Sequence, residues 1–296
     1  GNKLKESLKS KANVLLLVSS PEIINAIALK LEKDSAPSVR LVERLGYDKK
    51  SQCYVFSTFL YDCEGRRQLA NTDGFFTEQK LVCKTDQSLI QDYQEVDLKR
   101  VICLIRRVYG NQGLMVLAFY VATLLKDDFI TQKTALPYLS ISGLKGSGKT
   151  TLIDFCNQAF FQLWGGLNAS RETTGKGMLR TLYHRNSLVI PYNESNKGMI
   201  GLDENKLLYA YHGGSLYIRA DKTNDASTIN LPFHASLAFV QNIEPFTIGA
   251  VKERVISLRF KNASEGGVTD DSRVAMKELM KMTASQRAGI GHQIFS

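Results

Sequence analysis

The feature that most limits how this chain can fold is one glycine-rich segment near its middle. Residues 143–150 read Gly-Leu-Lys-Gly-Ser-Gly-Lys-Thr, which matches GxxxxGK[ST] at every fixed position. Glycines at these places let the backbone bring its N–H groups to phosphate oxygens, while the lysine adds a positive charge and the hydroxyl can ligate Mg²⁺. The segment predicts a phosphate-binding loop for a nucleoside triphosphate, with contacts from Gly143, Gly146, Ser147, Gly148, Lys149, Thr150 and Thr151.

The sequence on both sides of this segment has the pattern that such a loop needs. Leu136, Tyr138, Leu139 and Ile141 predict a strand before it, and apolar residues recur after it at helical spacing. A loop between a strand and a helix also places the helix N-terminus at the phosphates. Short apolar strands then alternate with amphipathic helices to about Phe260, which predicts an α/β domain with a mainly parallel sheet.

The rest of the chain is divided by its patterns into accessory regions. Residues 1–85 predict an N-terminal α+β region with a small β-element near 53–85, and residues 86–134 predict a helical region that leads into the core. The core is expected at 135–261, followed by a linker and a short C-terminal helical tail at 262–296. The five cysteines lack CxxC spacing, and a chain of 296 residues needs no disulfide to fold, so reduced thiols are expected.

Charge and hydropathy limit the partners and the compartment of the protein. Lysine and arginine number 38 against 29 for aspartate and glutamate, and the net charge of +9 favours a polyanionic partner. The longest apolar stretch, 113–125, is shorter than the roughly 20 residues that a membrane-spanning helix needs, and no signal peptide precedes the first charges. A cytoplasmic protein without a membrane partner is expected. The chain begins Gly-Asn without Met, which indicates part of a longer protein.

Polar residues follow the next predicted strand, where a triphosphatase needs them. Residues 187–192 form an apolar run that is followed by Asn193 and Glu194. At this position Glu194 would polarise the attacking water, and Asn193 would hold a water bound to Mg²⁺ without adding charge. Asp203 and Glu204 are the rival acidic pair, but their position after a glycine-broken apolar run favours the polar start of a helix.

Two more candidate site residues lie next to predicted strands further along the chain. The apolar run 235–240 ends before Asn242, which would sense the γ-phosphate and hold the water, or would simply begin a turn. Arg254 comes twelve residues later, before another predicted strand. If the chain forms a ring, Arg254 is the positive finger that reaches the γ-phosphate of a neighbouring copy. In isolation it would be a surface arginine within a basic run.

Together these segments resemble the ATPase core of superfamily 3 helicases, in the AAA+ lineage. The likeness rests on 143–150, 188–194, 239–242 and Arg254, and it covers roughly 136–260, less than half of the chain. The resemblance implies a P-loop core that binds ATP and Mg²⁺ between the subunits of a hexameric ring and translocates along single-stranded DNA. It also implies a phage, virus or mobile element as the source, action in the host cytoplasm, and a link to a primase-polymerase domain.

A predicted hairpin lies between the acidic motif and Asn242. Two β-prone arms flank the polar turn 221–225 within the segment 216–231. In the helicases that the chain resembles, a hairpin at this place enters the ring channel, so Lys222 near the tip and Arg219 on one arm are the candidate contacts to DNA phosphates. A solvated turn that contains one lysine is the alternative.

Two other functions fit part of the sequence. A P-loop kinase for a small molecule would share the loop, but it would be a monomer or dimer and would need no Arg254 in trans. An oligomerisation collar whose assembly is set by ATP would account for Asn193 through weak hydrolysis.

Overall fold

The strands and helices are those of a computed structural model, which describes residues 39–83, 92–163, 167–168, 175–193, 203–220 and 228–296. Contacts divide the chain into two units, Gly1–Arg40 and Leu41–Ser296, and the described helices and the large sheet lie in the second. The strands are β1 (Arg40–Val42), β2 (Leu45–Asp48), β3 (Cys53–Val55), β4 (Phe59–Tyr61), β5 (Arg67–Leu69), β6 (Phe75–Phe76), β7 (Leu81–Cys83), β8 (Tyr138–Ser142), β9 (Leu167–Asn168), β10 (Arg185–Asn193), β11 (Ser215–Ala220), β12 (Thr228–Pro232), β13 (His234–Val240) and β14 (Val255–Arg259). The helices are α1 (Leu98–Leu124), α2 (Lys126–Thr131), α3 (Lys149–Phe161), α4 (Gly175–Tyr183), α5 (Glu204–Ala210), α6 (Gly249–Lys252), α7 (Asp270–Lys281) and α8 (Ala284–Phe295).

The described strands form one large mixed sheet and two small ones. The large sheet has the order β14-β8-β13-β10-β2-β3-β4-β5, and β9 also pairs with β10. Strands β14, β8, β13, β10 and β9 are parallel, whereas β3, β4 and β5 are antiparallel to their neighbours. The short connections between β2 and β5 permit only antiparallel pairing, because a parallel crossover needs a dozen residues or more. The predicted α/β class is confirmed, with a mixed sheet whose parallel half contains the strands predicted for the core.

The central parallel strands β8, β10 and β13 are buried on both faces, whereas the edge strand β14 is partly exposed. Strand β13 is buried from Ala235 to Val240, and β10 is buried from Asn186 to Tyr192. Continuous apolar runs of this kind are typical of parallel strands that helices cover on both sides. Helix α3, which follows the glycine-rich loop, buries the apolar positions predicted for its inner face: Leu152, Phe155, Cys156, Ala159 and Phe160.

The C-terminal residues pack closely against the middle of the chain. Helices α7 and α8 each begin with a capping box, at Thr269 and Thr283. At Gly291 of α8, an added Cβ would lie 2.4 Å from the Ala159 carbonyl oxygen of α3, so glycine is required for this close approach. None of the helices in the described ranges is long and apolar enough to cross a membrane.

Lys126 is a buried cation at the start of α2. Only 1% of its surface is exposed, and its ammonium lies 5.1 Å from the ring centre of Phe233 and 6.0 Å from that of Tyr138. Burial lowers the pKa of Lys126 from 10.5 to about 7, because the charged form loses its hydration.

Lys126 is therefore expected to make the free energy of unfolding rise with pH between about 7 and 10.5. In this window the unfolded chain keeps a proton on Lys126 that the folded chain has released. The Lys126 contribution to the slope should reach about 1.4 kcal/mol per pH unit. The variant Lys126→Met should lack this contribution and should be more stable than the wild type, most of all below pH 7. Urea unfolding of both proteins from pH 6 to 10 measures this contribution. A difference in free energy of unfolding between the two proteins that does not change with pH would contradict the prediction.

Candidate nucleotide site

The glycine-rich loop connects the end of β8 to the start of α3, as the motif predicts. Gly143, Gly146 and Gly148 have φ values of +147°, +83° and +78°, a region that side chains rarely adopt. A Cβ on Gly143 would lie 2.2 Å from the carbonyl oxygen of Phe260, just beyond β14. The loop therefore needs glycine both for its turns and for its close passage beside the neighbouring strand.

The Lys149 side chain is folded back into the loop. Its ammonium donates to the carbonyl oxygens of Gly143 and Leu144, the latter at 3.2 Å, and to the hydroxyl of Ser147 at 3.3 Å. It also lies 3.3 Å from Oδ1 of Asn242, and only 7% of the residue is exposed. The charge is thus held at the centre of the loop by neutral oxygens, for which phosphate oxygens can substitute.

Six of the seven predicted phosphate-loop residues line a single cavity together with Asn193 and Asn242, and Gly143 is not part of its lining. Strands β8, β13 and β10 are neighbours and parallel, so their carboxyl ends meet at one edge of the sheet. The cavity at this edge, which we call the loop cavity, has a volume of about 640 Å³. Its lining residues are Lys145, Gly146, Ser147, Gly148, Lys149, Thr150, Thr151, Asn193, Val240 and Asn242.

The donor set of the loop cavity suits Mg²⁺ in company with phosphate. Asn193 presents a buried Oδ1 that accepts no hydrogen bond from any described residue, and Thr150 lines the same cavity. Within the described ranges, no group of three or more His, Cys, Asp or Glu side chains is arranged to hold a metal ion. In nucleotide sites Mg²⁺ usually takes one or two ligands from the protein and the rest from phosphate and water, a role that Thr150 and Asn193 could fill.

The rival acidic pair, Asp203 and Glu204, accepts backbone hydrogen bonds at the start of α5 and from the segment 247–248. Asp203 caps α5 by accepting from the N–H of Asn205. Glu204 accepts from the backbone N–H groups of Thr247 and Ile248. Burial alone would raise the pKa of Glu204, but these hydrogen bonds hold it below its ordinary value. The prediction of a polar helix start is confirmed.

Three predicted residues fall wholly or partly outside the described ranges. Glu194 directly follows the last residue of β10, and it lies outside the described residues, as does Lys222. The arms of the predicted hairpin are confirmed as the antiparallel pair β11–β12, in which Arg219 is opposite Ile229. The side chain of Arg219 is not part of the described structure.

Arg254 lies far from the loop cavity of its own chain. Its carbonyl oxygen accepts from the N–H of Tyr138 at the start of β8, whereas the glycine-rich loop follows the other end of that strand. The four residue steps of β8 span about 13 Å. The Arg254 guanidinium donates to the carbonyl oxygen of Ala250 and lies 5.3 Å from the ring centre of Tyr211. Arg254 is therefore not among the residues that line the loop cavity of its own chain.

A second cavity, which we call the side cavity, was not predicted from the sequence. It has a volume of about 710 Å³ and shares Gly146, Ser147 and Gly148 with the loop cavity. Its other walls come from α1, the end of β14 and α7, so Tyr109 and Met276 meet there. The one local signal was Gly110, which follows Tyr109 and kinks α1 with a φ of +63°.

No protein-family model matches the chain, and no curated protein gives a significant match. Among solved structures, an apo form of the NrS-1 C-terminal region is 12% identical, with 92% of this chain and 60% of that chain covered and a TM-score of 0.45. A structure of JCV helicase is 13% identical, with 68% and 54% covered and a TM-score of 0.37. The chain thus spans about 60% of the NrS-1 chain that it matches. These similarities concern the fold alone, and no activity or residue role follows from them.

Proposed function

We propose that this protein is an ATP-hydrolysing DNA helicase domain that works as a ring. The observation that carries the proposal is that Lys149, Thr150, Asn193 and Asn242 line one cavity at the carboxyl ends of three parallel strands. A positive charge, a hydroxyl and two amides around a glycine-rich loop are groups suited to binding a triphosphate and its metal ion.

In this proposal the loop backbone and four side chains of the loop cavity have separate roles. The backbone N–H groups of the loop and the N-terminus of α3 bind the phosphate chain. Lys149 exchanges the loop carbonyls for β- and γ-phosphate oxygens, and Asn242, 3.3 Å from its ammonium, orients the γ-phosphate and the attacking water. Thr150 and Asn193 would hold Mg²⁺, which supplies charge neutralisation on the phosphates when bound.

The proposal needs two further groups for hydrolysis. Glu194, next to Asn193, is proposed to accept the proton of the attacking water. Arg254 is proposed to stabilise the charge that develops on the γ-phosphate of an adjacent protomer, because it lies about the length of β8 away from its own loop. The site would then be complete only between two copies, in a ring that the sequence resemblance suggests is a hexamer.

The DNA contact is proposed to lie on the β11–β12 hairpin. Lys222 and Arg219 would neutralise phosphates of a single strand, in keeping with the net charge of +9. Repetition of the hairpin around a ring would make several weak contacts act together. The resemblance further suggests that a primase-polymerase domain, on the same or a separate chain, supplies the next step of replication.

The test combines particle mass with hydrolysis rates. We expect a hexamer-sized particle with ATP, and phosphate release that increases when single-stranded DNA is added. Lys222→Ala should weaken DNA binding and reduce the salt slope by about 0.7 per lost contact, while DNA-free hydrolysis stays unchanged. Lys206→Ala, on the exposed side of α5, is the matched control. A monomer whose hydrolysis does not change with DNA and that phosphorylates a small molecule would instead support the kinase hypothesis.

A further inference from the structure

The side cavity has no role in the function proposed so far. It meets the loop cavity at Gly146, Ser147 and Gly148, the residues that precede Lys149. A ligand whose phosphates are bound by the loop therefore has its remaining end either in the side cavity or in solvent. The volume of about 710 Å³ lies within the range of sites that bind small organic molecules.

We infer that the side cavity receives the nucleoside end of the triphosphate, with Tyr109 and Met276 as the residues that position the base. This inference rests on the proposed function, because it requires phosphates in the loop cavity. It adds to that function a binding subsite built by α1 and α7, which lie outside the predicted core.

The walls of the side cavity offer the surface that an aromatic base needs. Tyr109, Phe260, Val268 and Met276 supply its apolar part. An aromatic ring and a polarisable thioether are favourable neighbours for a flat heterocycle.

Tyr109 is held in a fixed position beside the loop. Its hydroxyl donates to the carbonyl oxygen of Gly148 at 3.2 Å and lies 3.9 Å from the sulfur of Met276. Its ring centre is 5.5 Å from that of Phe260. A Cβ on Gly148 would come within 3.0 Å of the Tyr109 ring, so the tyrosine and the loop are in direct contact. A base placed against Tyr109 would thus be positioned relative to the phosphates.

The charge around the side cavity favours an anionic ligand. None of its lining residues is acidic, and six are cationic: Arg106, Arg107, Arg259, Lys261, Arg273 and Lys277. Three of the six form ion pairs with Asp271, Glu265 and Asp270, which lie outside the lining. Arg106, Lys261 and Lys277 form no ion pair with the described residues, so the rim carries an excess positive charge that attracts a polyphosphate.

Helix α7 is fixed to α1 as a wall of this cavity. The Nε atom of Arg107 lies 3.1 Å from Oδ2 of Asp271, and Nε of Arg100 lies 2.7 Å from Oε1 of Glu278. Both pairs join the first half of α1 to α7. The residues predicted as a C-terminal tail therefore contribute to the proposed nucleotide site.

The experiment compares ATP with inorganic tripolyphosphate, which has the phosphates but no nucleoside. Calorimetric titrations in Mg²⁺ should show that wild-type protein binds ATP at least about tenfold more tightly than tripolyphosphate. Met276→Ala should weaken ATP binding by at least about tenfold and change tripolyphosphate binding by less than about twofold. Met280→Ala is the matched control, because Met280 lies on the same helix, is 39% exposed and does not line the cavity.

The possible outcomes distinguish a failure of this inference from a failure of the proposed function. Equal binding of ATP and tripolyphosphate by the wild type would place the nucleoside in solvent and overturn the inference alone, and this comparison needs no variant. Equal weakening of both ligands by Met276→Ala, or no weakening of ATP, would also overturn it. Failure of the wild type to bind either ligand would overturn the proposed function and the inference together.

Discussion

Replacement of Lys149 by alanine is expected to reduce ATP hydrolysis by at least about 10³-fold. The ammonium is the one cation among the loop-cavity residues that is held inside the loop, with two carbonyls, the Ser147 hydroxyl and Asn242 around it. Its removal leaves the β- and γ-phosphates with backbone N–H groups but without a fixed positive charge. The loss should therefore appear in the rate of the chemical step and in the affinity for ATP.

Phosphate release under saturating ATP and calorimetric binding measure the two effects. Lys281→Ala, at the exposed end of α7, is a suitable control, because it removes the same charge outside both cavities. Thermal unfolding of Lys149→Ala should show a folded protein, since Lys149 lies in the loop at the edge of the sheet and outside the apolar core. Hydrolysis at the wild-type rate in the folded variant would refute the proposed site.

The residues of the loop cavity were predictable because their signals are local. The pattern of 143–150 specifies residue types at fixed spacing, and Asn193 and Asn242 each follow an apolar run that could be recognised as a strand. Once those strands are parallel and adjacent, their carboxyl ends must lie together. Asp203 could also be assigned correctly, because an aspartate before a helical segment is a frequent cap.

The joining of β2 to the large sheet and the side cavity could not be predicted, because both depend on contacts between distant parts of the chain. No local pattern indicates that β2 joins the edge of β10, where Gly46, with a φ of +98°, passes the carbonyl oxygen of Asn186. The meeting of Tyr109 with Met276 likewise joins residues that are 167 positions apart. Such contacts follow from how α1 and α7 pack, and packing between elements leaves no spacing rule in the sequence.

Arg254→Ala is expected to reduce hydrolysis by about 10³-fold or more while ATP binding stays close to that of the wild type. The reason is positional. The backbone of Arg254 pairs with the start of β8, about 13 Å along the sheet from the loop that begins where β8 ends. We therefore expect Arg254 to contribute little to nucleotide binding in its own chain, and we propose that it acts on catalysis in a second copy.

Mixing two inactive variants tests this requirement directly. Protomers with Arg254→Ala keep an intact loop, and protomers with Lys149→Ala keep an intact arginine. At an interface where the loop of the first faces the arginine of the second, both groups are present and hydrolysis should return, in proportion to the number of such interfaces. Lys252→Ala, two residues before Arg254 in the same basic run, should leave the rate unchanged. If mixed particles form and stay inactive, Arg254 is a surface charge that packs on Tyr211, and the proposed site between protomers loses its positive finger.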